Sequence, residues 1–107
     1  MTLAFVGAGD LMLTGKQKRF LRAMGNEIEP IIQVGKGGVN DNVVKQVDEA
    51  LEARELIKVR VLQNCLEEPE DVAEALAEET KAELVQVIGR NMLLYRESSE
   101  KPRIELP

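Results

Sequence analysis

Apolar and polar positions along the chain fall into seven short blocks whose periods alternate between helical and extended. From Thr14 to Met24, Phe20, Leu21 and Met24 share one helical face, with Gln17 a turn before them. Thr14 offers a capping oxygen, and Gly25-Asn26 a stop. Pro30-Ile-Ile-Gln-Val34 reads as a strand with proline at its first position, where no ladder donor is lost. Asn40 or Asp41 then caps a second helix to about Arg54, with Val43, Val44, Val47, Ala50 and Leu51 facing inward. Leu56–Leu62 is a strand that places Lys58 and Arg60 on one face. Pro69, followed by Glu70 and Asp71, opens a third helix ending near Lys81, with Val72, Ala75, Leu76 and Ala77 as its stripe. Leu84–Ile88, the turn Gly89-Arg90-Asn91, and Met92–Arg96 form an antiparallel hairpin. The order α-β-α-β-α-β-β predicts an α+β, two-layer domain with a four-stranded mixed sheet, its strand–helix–strand units crossing over right-handed.

The two ends read differently. Residues 1–11 have no place in this pattern and read as an N-terminal extension before an alternative start at Met12. Their Gly7-Ala8-Gly9 opens like a dinucleotide fingerprint, but the third position falls on Met12 and no long helix follows. Residues 12–97 carry the domain, and residues 98–107 are polar and proline-containing, expected to be a frayed C-terminal tail.

Composition narrows the chemistry. A chain of 107 residues suits one domain. With one cysteine and no histidine, His/Cys zinc sites, Cys–His pairs and Ser–His–Asp triads are excluded. No apolar run reaches the roughly 20 residues of a membrane span, and no basic leader opens the chain, so a cytoplasmic protein is expected, with no membrane partner. The net charge of −5 is unevenly spread: residues 67–83 hold eight acids against Lys81, and the rest of the chain is mildly basic. Local field rather than net charge decides whether a phosphate backbone is attracted.

Two stretches can carry function. Gly35-Lys36-Gly37-Gly38 lies between a strand and a helix N-terminus, where glycines allow close backbone approach and Lys36 adds a cation. Its Gly-x-x-Gly spacing is the pattern with which KH domains clamp a nucleic-acid backbone. Glycines in a strand-to-helix turn also serve geometry alone, and spacing leaves the two readings even. The first helix tilts the balance: Lys16, Lys18, Arg19 and Arg22 stand within seven residues without an acid, whereas solvated faces usually mix signs. Cys65 reads as a small buried hydrophobe. Glu67, Glu68, Glu70 and Asp71 lack EF-hand spacing and read as charge at a helix N-terminus, so no metal or other cofactor is expected. Phe5, Phe20 and Tyr95 are the only aromatics, and only Tyr95 falls on a strand, which argues for backbone and shape recognition over base stacking.

Four ordered blocks, Leu13–Arg22, Ile32–Val39, Leu51–Val59 and Ile88-Gly with Leu94-Tyr-Arg96, resemble the CRM (chloroplast RNA splicing and ribosome maturation) domain over residues 12–97, in its small stand-alone bacterial YhbY type. The resemblance implies a fold similar to the C-terminal domain of translation initiation factor 3, with an added first helix. It implies a non-enzymatic RNA-binding protein acting in ribosome biogenesis, on ribosomal RNA of the large-subunit precursor. The family's GxxG loop carries over onto Gly35, Lys36, Gly37 and Gly38, and its basic helix onto Lys16, Lys18, Arg19 and Arg22. A second expectation is an adaptor that docks ribosomal proteins through the acidic third helix. A metal-dependent nuclease ranks below both, because no convergent carboxylate set stands near the glycine loop.

Overall fold

The computed structural model describes residues 13–107; the extension, its glycines and Phe5 lie outside the described residues. The elements are α1 (Gly15–Gly25), β1 (Pro30–Val34), α2 (Asp41–Arg54), β2 (Leu56–Val61), α3 (Pro69–Thr80), β3 (Glu83–Ile88) and β4 (Asn91–Tyr95). The seven blocks are those of the hydrophobic pattern, with ends shifted by a residue or two. Thr14 and Gln17 close a capping box at the start of α1, and the Asn40 side chain caps α2 by accepting from the Val43 N–H at 2.9 Å.

The sheet order is β1-β2-β4-β3. β2 runs parallel to β1, and β4 is antiparallel to both β2 and β3, so the hairpin strand inserts between the parallel strands β2 and β3. Alternation along the central strands feeds two separate cores. Ile57, Val59 and Val61 of β2 and Met92 and Leu94 of β4 meet α2 and α3 through Val43, Val47, Leu51, Val72 and Leu76. Leu56, Leu93 and Tyr95 point the other way and pack with Leu13, Leu21 and Val85. α2 and α3 with the sheet are the two expected layers, and α1 covers part of the opposite face.

The predicted inner face of α1 needs correction. Leu21 is fully buried, whereas Phe20 and Met24 are 39% and 36% exposed. The second contact is instead Gly25, where a Cβ would fall 2.6 Å from Leu93 Cδ2. Helix and sheet approach too closely there for any side chain. In α3, Ala73 and Thr80 are buried in addition to Val72 and Leu76, while Ala75 and Ala77 are only half-buried.

The tail also departs from expectation: it is docked, not frayed. Glu55, the C-cap of α2, has φ 69°, a conformation in which glycine is the usual occupant, and it is fully buried. Its carboxylate explains why a side chain stands there. One oxygen accepts the Ser98 N–H at 2.7 Å, and the other accepts the N–H groups of Arg103 and Ile104 at 2.7 and 2.8 Å. Glu52 accepts from Ser98 Oγ at 2.8 Å and from Ser99 N–H at 2.9 Å. Ile104 and Leu106 then pack against the Leu21 core, and Gln17 Nε2 donates to Pro107 O. Arg96 ties the helices together, donating to Asp48 Oδ1 at 2.7 Å and Thr80 O at 2.8 Å.

Burial pushes the Glu55 carboxyl up, but the backbone donors of Ser98, Ile104 and Arg103, with the Arg103 charge, outweigh it and hold the group below its ordinary 4.5. A depressed carboxylate stabilises the fold fully above the unfolded value and loses that contribution as pH falls through the folded one. The melting temperature should therefore hold from neutrality to about pH 5 and then fall. Glu55→Gln should melt lower than wild type at pH 7 and lose less on acidification, read by circular dichroism at both pH values.

Candidate functional site

The Gly35–Gly38 loop leaves the C-terminal end of β1 as a tight turn, closed by Gly38 N–H donating to Gly35 O at 3.0 Å. Lys36 and Gly37 form its exposed tip. Each of the last two glycines has an architectural reason. Gly38 has φ 64°, and a Cβ there would meet Glu67 Oε1 at 2.6 Å. A Cβ on Gly37 would fall 2.9 Å from Asn40 Nδ2, the amide of the capping side chain of α2.

Glu67 is the residue that sequence reasoning misassigned. It does not serve the N-terminus of its own helix. From the β2–α3 connection it reaches across to the loop, and its Oε1 accepts the Val39 N–H at 3.1 Å. No spacing rule links positions 28 apart, so the pairing was not legible. The consequence is electrostatic. The α2 N-terminus already faces the Glu67 carboxylate and carries Asp41 in its first turn, which reduces its pull on an outside anion. What the loop leaves for a ligand is its tip: among the described residues no hydrogen bond engages the Lys36 or Gly37 N–H, and the Lys36 side chain is exposed.

The basic residues of α1 lie on a different part of the molecule. α1 packs against β2 and β3 on the face opposite α2 and α3, so loop and helix are not one contiguous cradle. Lys16 and Arg19 point to solvent; Lys18 and Arg22 are half-buried, and Arg22 Nε donates to Lys18 O at 3.3 Å. Burial pushes the Glu83 carboxyl up, and the Lys18 ammonium and the Leu13 N–H offset part of that rise, so Lys18 already has an acidic neighbour.

Other candidates resolve simply. Cys65 is buried as a small hydrophobe. Tyr95 is 3% exposed, so its ring is unavailable for stacking. Among the described residues no three His, Cys, Asp or Glu side chains gather as a metal site, and no helix is long and apolar enough to cross a membrane. A groove of about 610 Å³ lies at the other end of the sheet from the loop, among Met24, Ile31, Arg54, Leu56 and Ile104.

The chain is 65% identical over 96 residues to the "Probable RNA-binding protein YqeI" of Bacillus subtilis, spanning 90% of this chain and all of that one. It is 38% identical to an RNA-binding protein of Haemophilus influenzae, spanning 89% of this chain and 95% of the other. The solution structure of a hypothetical protein from Staphylococcus aureus superposes with a TM-score of 0.75 at 58% identity, covering 90% of this chain and all of that one. The sequence profile of the CRS1/YhbY (CRM) domain matches residues 13–96. With a family match across most of its length and a relative aligned from end to end, the chain belongs to the CRS1/YhbY (CRM) domain family.

Proposed function

We propose that the protein is a non-enzymatic RNA-binding module that grips phosphates with the tip of the Gly35–Gly38 loop and the outer face of α1. Its RNA would be structured ribosomal RNA of the large-subunit precursor, bound in the cytoplasm during ribosome assembly. The observation that carries the reading is the loop tip: two N–H groups with no partner among the described residues and an exposed lysine, held on a turn fixed by Gly38 and Glu67. Relatives named as RNA-binding proteins support RNA as the ligand class. The exposed Lys16 and Arg19 of α1 supply a second, separate point of phosphate contact. Docking of ribosomal proteins on the acidic α3 is the second reading; the eight acids of residues 67–83 favour it, but Glu67 is taken up by the loop.

Affinity for a structured ribosomal RNA fragment should fall steeply with salt, with a log–log slope near −2 or steeper, as expected when about three phosphates are neutralised. A flat response over a titration series would sink the phosphate mechanism.

Lys36→Glu reverses charge at an exposed tip without touching Gly37 or Gly38, so the melting curve should not move while affinity drops about tenfold. Lys16→Glu with Arg19→Glu should give a similar loss through α1. Wild-type affinity in both folded variants would remove RNA from these surfaces.

Glu67→Gln keeps an oxygen for the Val39 N–H and removes the charge beside the loop. RNA affinity at low salt should rise severalfold, by roughly 1 kcal/mol or less for one charge near the protein surface. An unchanged affinity, measured by fluorescence anisotropy, would mean that phosphate does not approach this turn.

A further inference from the structure

α1 covers only part of its face of the sheet. The covered part lies toward the Leu56/Tyr95 end, where the C-terminal tail also packs. Toward the glycine-loop end Gln33, Arg60 and Ile88 on the same face stand exposed among the described residues, and the strand register aligns the side chains. Gln33 of β1 pairs with Arg60 of β2, Arg60 with Asn91 of β4, and Asn91 with Ile88 of β3. These four residues form one row across all four strands. Because Val34, Val59, Val61 and Met92 turn toward α2 and α3, the alternation puts this row on the opposite face. Gln33 and Arg60 are exposed, Asn91 is half-buried and Ile88 is 64% exposed.

The chemistry of the row is unusual for a surface that has no task. Its three polar side chains all carry flat, hydrogen-bonding amide or guanidinium groups. Asn91 Oδ1 is shielded from solvent and has no hydrogen-bond partner among the described residues. The next row holds Lys58 and Gln86 beside Leu93, so neither row contains a carboxylate. That is notable in a chain of net charge −5. Ile88 on β3 and Ile31 on β1, the latter 43% exposed, add apolar surface on the two edge strands. The row also adjoins the loop: Gln33 stands two residues before Gly35, and Arg90 at the β3–β4 turn donates to Leu62 O at the same end. On α1, Lys18 and Arg22 lie about 60° and 100° to one side of Leu21, and Gln17 and Met24 about 40° and 60° to the other. Gln17 is on the tail side, so Lys18 and Arg22 occupy the flank turned away from the tail.

We infer that the row Gln33–Arg60–Asn91–Ile88 is a subsite for an unpaired RNA segment that continues from a duplex or backbone held at the glycine loop. Splayed bases present hydrogen-bonding edges that duplex RNA hides, and amide and guanidinium groups match those edges. The apolar flanks receive base or sugar faces, and the absence of carboxylates leaves the path open to the intervening phosphates. A basic protein tail would meet no carboxylate within these two rows, so the charge pattern favours nucleic acid. The inference rests on the RNA-binding reading above and adds to it a preference for a junction between paired and unpaired RNA.

The test uses the full chain and two RNAs: a blunt hairpin, and the same hairpin with a six-nucleotide single-stranded overhang. Wild type should bind the overhang form about tenfold more tightly, the scale of one or two base contacts. Gln33→Ala with Arg60→Gln, at exposed positions where folding is verified by circular dichroism, should lower the overhang form to the affinity of the blunt hairpin and leave the blunt hairpin unchanged. Lys36→Glu should weaken both RNAs alike. No overhang preference in wild type, or an equal loss on both RNAs in the sheet variant, would overturn the subsite while leaving the RNA-binding reading intact. Failure of wild type to bind either RNA would overturn both.

Discussion

One buried carboxylate closes the molecule. Glu55 ends α2 with a positive φ, starts the turn into β2, and receives three backbone N–H groups from the segment after β4. Its own carbonyl accepts the Arg96 N–H at 2.9 Å. A glycine at this cap would relieve the backbone, but it would leave Ser98, Arg103 and Ile104 without an acceptor. With the carboxylate in place, the tail is held where Ile104 and Leu106 extend the smaller core beneath α1. That core contains few residues, so the tail contributes a real share of the apolar surface that anchors α1.

Fixing α1 at one end of its sheet face has a consequence at the other end. Gly25 lets the helix descend onto Leu93, and the helix stops covering the sheet before the row of Gln33, Arg60 and Asn91. The close approach and the open row are thus two results of one packing choice. At the same end of the sheet, Glu67 sets the glycine loop by accepting from Val39 against Gly38. A carboxylate inside a turn proposed to meet phosphate is a compromise: it supplies the order that the turn needs and subtracts from the field that the ligand would feel. The outcome is a loop whose exposed tip is confined to Lys36 and Gly37.

Sequence patterns were most informative where a single period governs a whole element. The valines of α2 and the alternation of β2 are local facts of helix and strand geometry, and the caps at Thr14 and Asn40 and the proline that opens α3 at Pro69 are chemical ones. The glycine loop and the basic character of α1 were legible for the same reason, since both are contiguous. Phe20 shows the limit. A helical face two or three residues wide does not say which of them faces the sheet, and the rotation of α1 was settled by Gly25, a residue that pattern reading took only for a helix stop.

Local pattern carries the order and type of the elements, the α2 side of the core, the positions of Gly35–Gly38, and the family to which those blocks belong. Long-range packing sets the rest: β4 inserts between β2 and β3, Glu67 reaches the loop, Glu55 gathers the tail, and Gln33, Arg60 and Asn91 stand in one row. Each of these depends on residues 27 or more positions apart, joined through strand register or the hydrogen bonds of one side chain. Local periodicity carries no record of such pairings; they follow from which apolar faces must be buried together and from how closely the backbones can then approach.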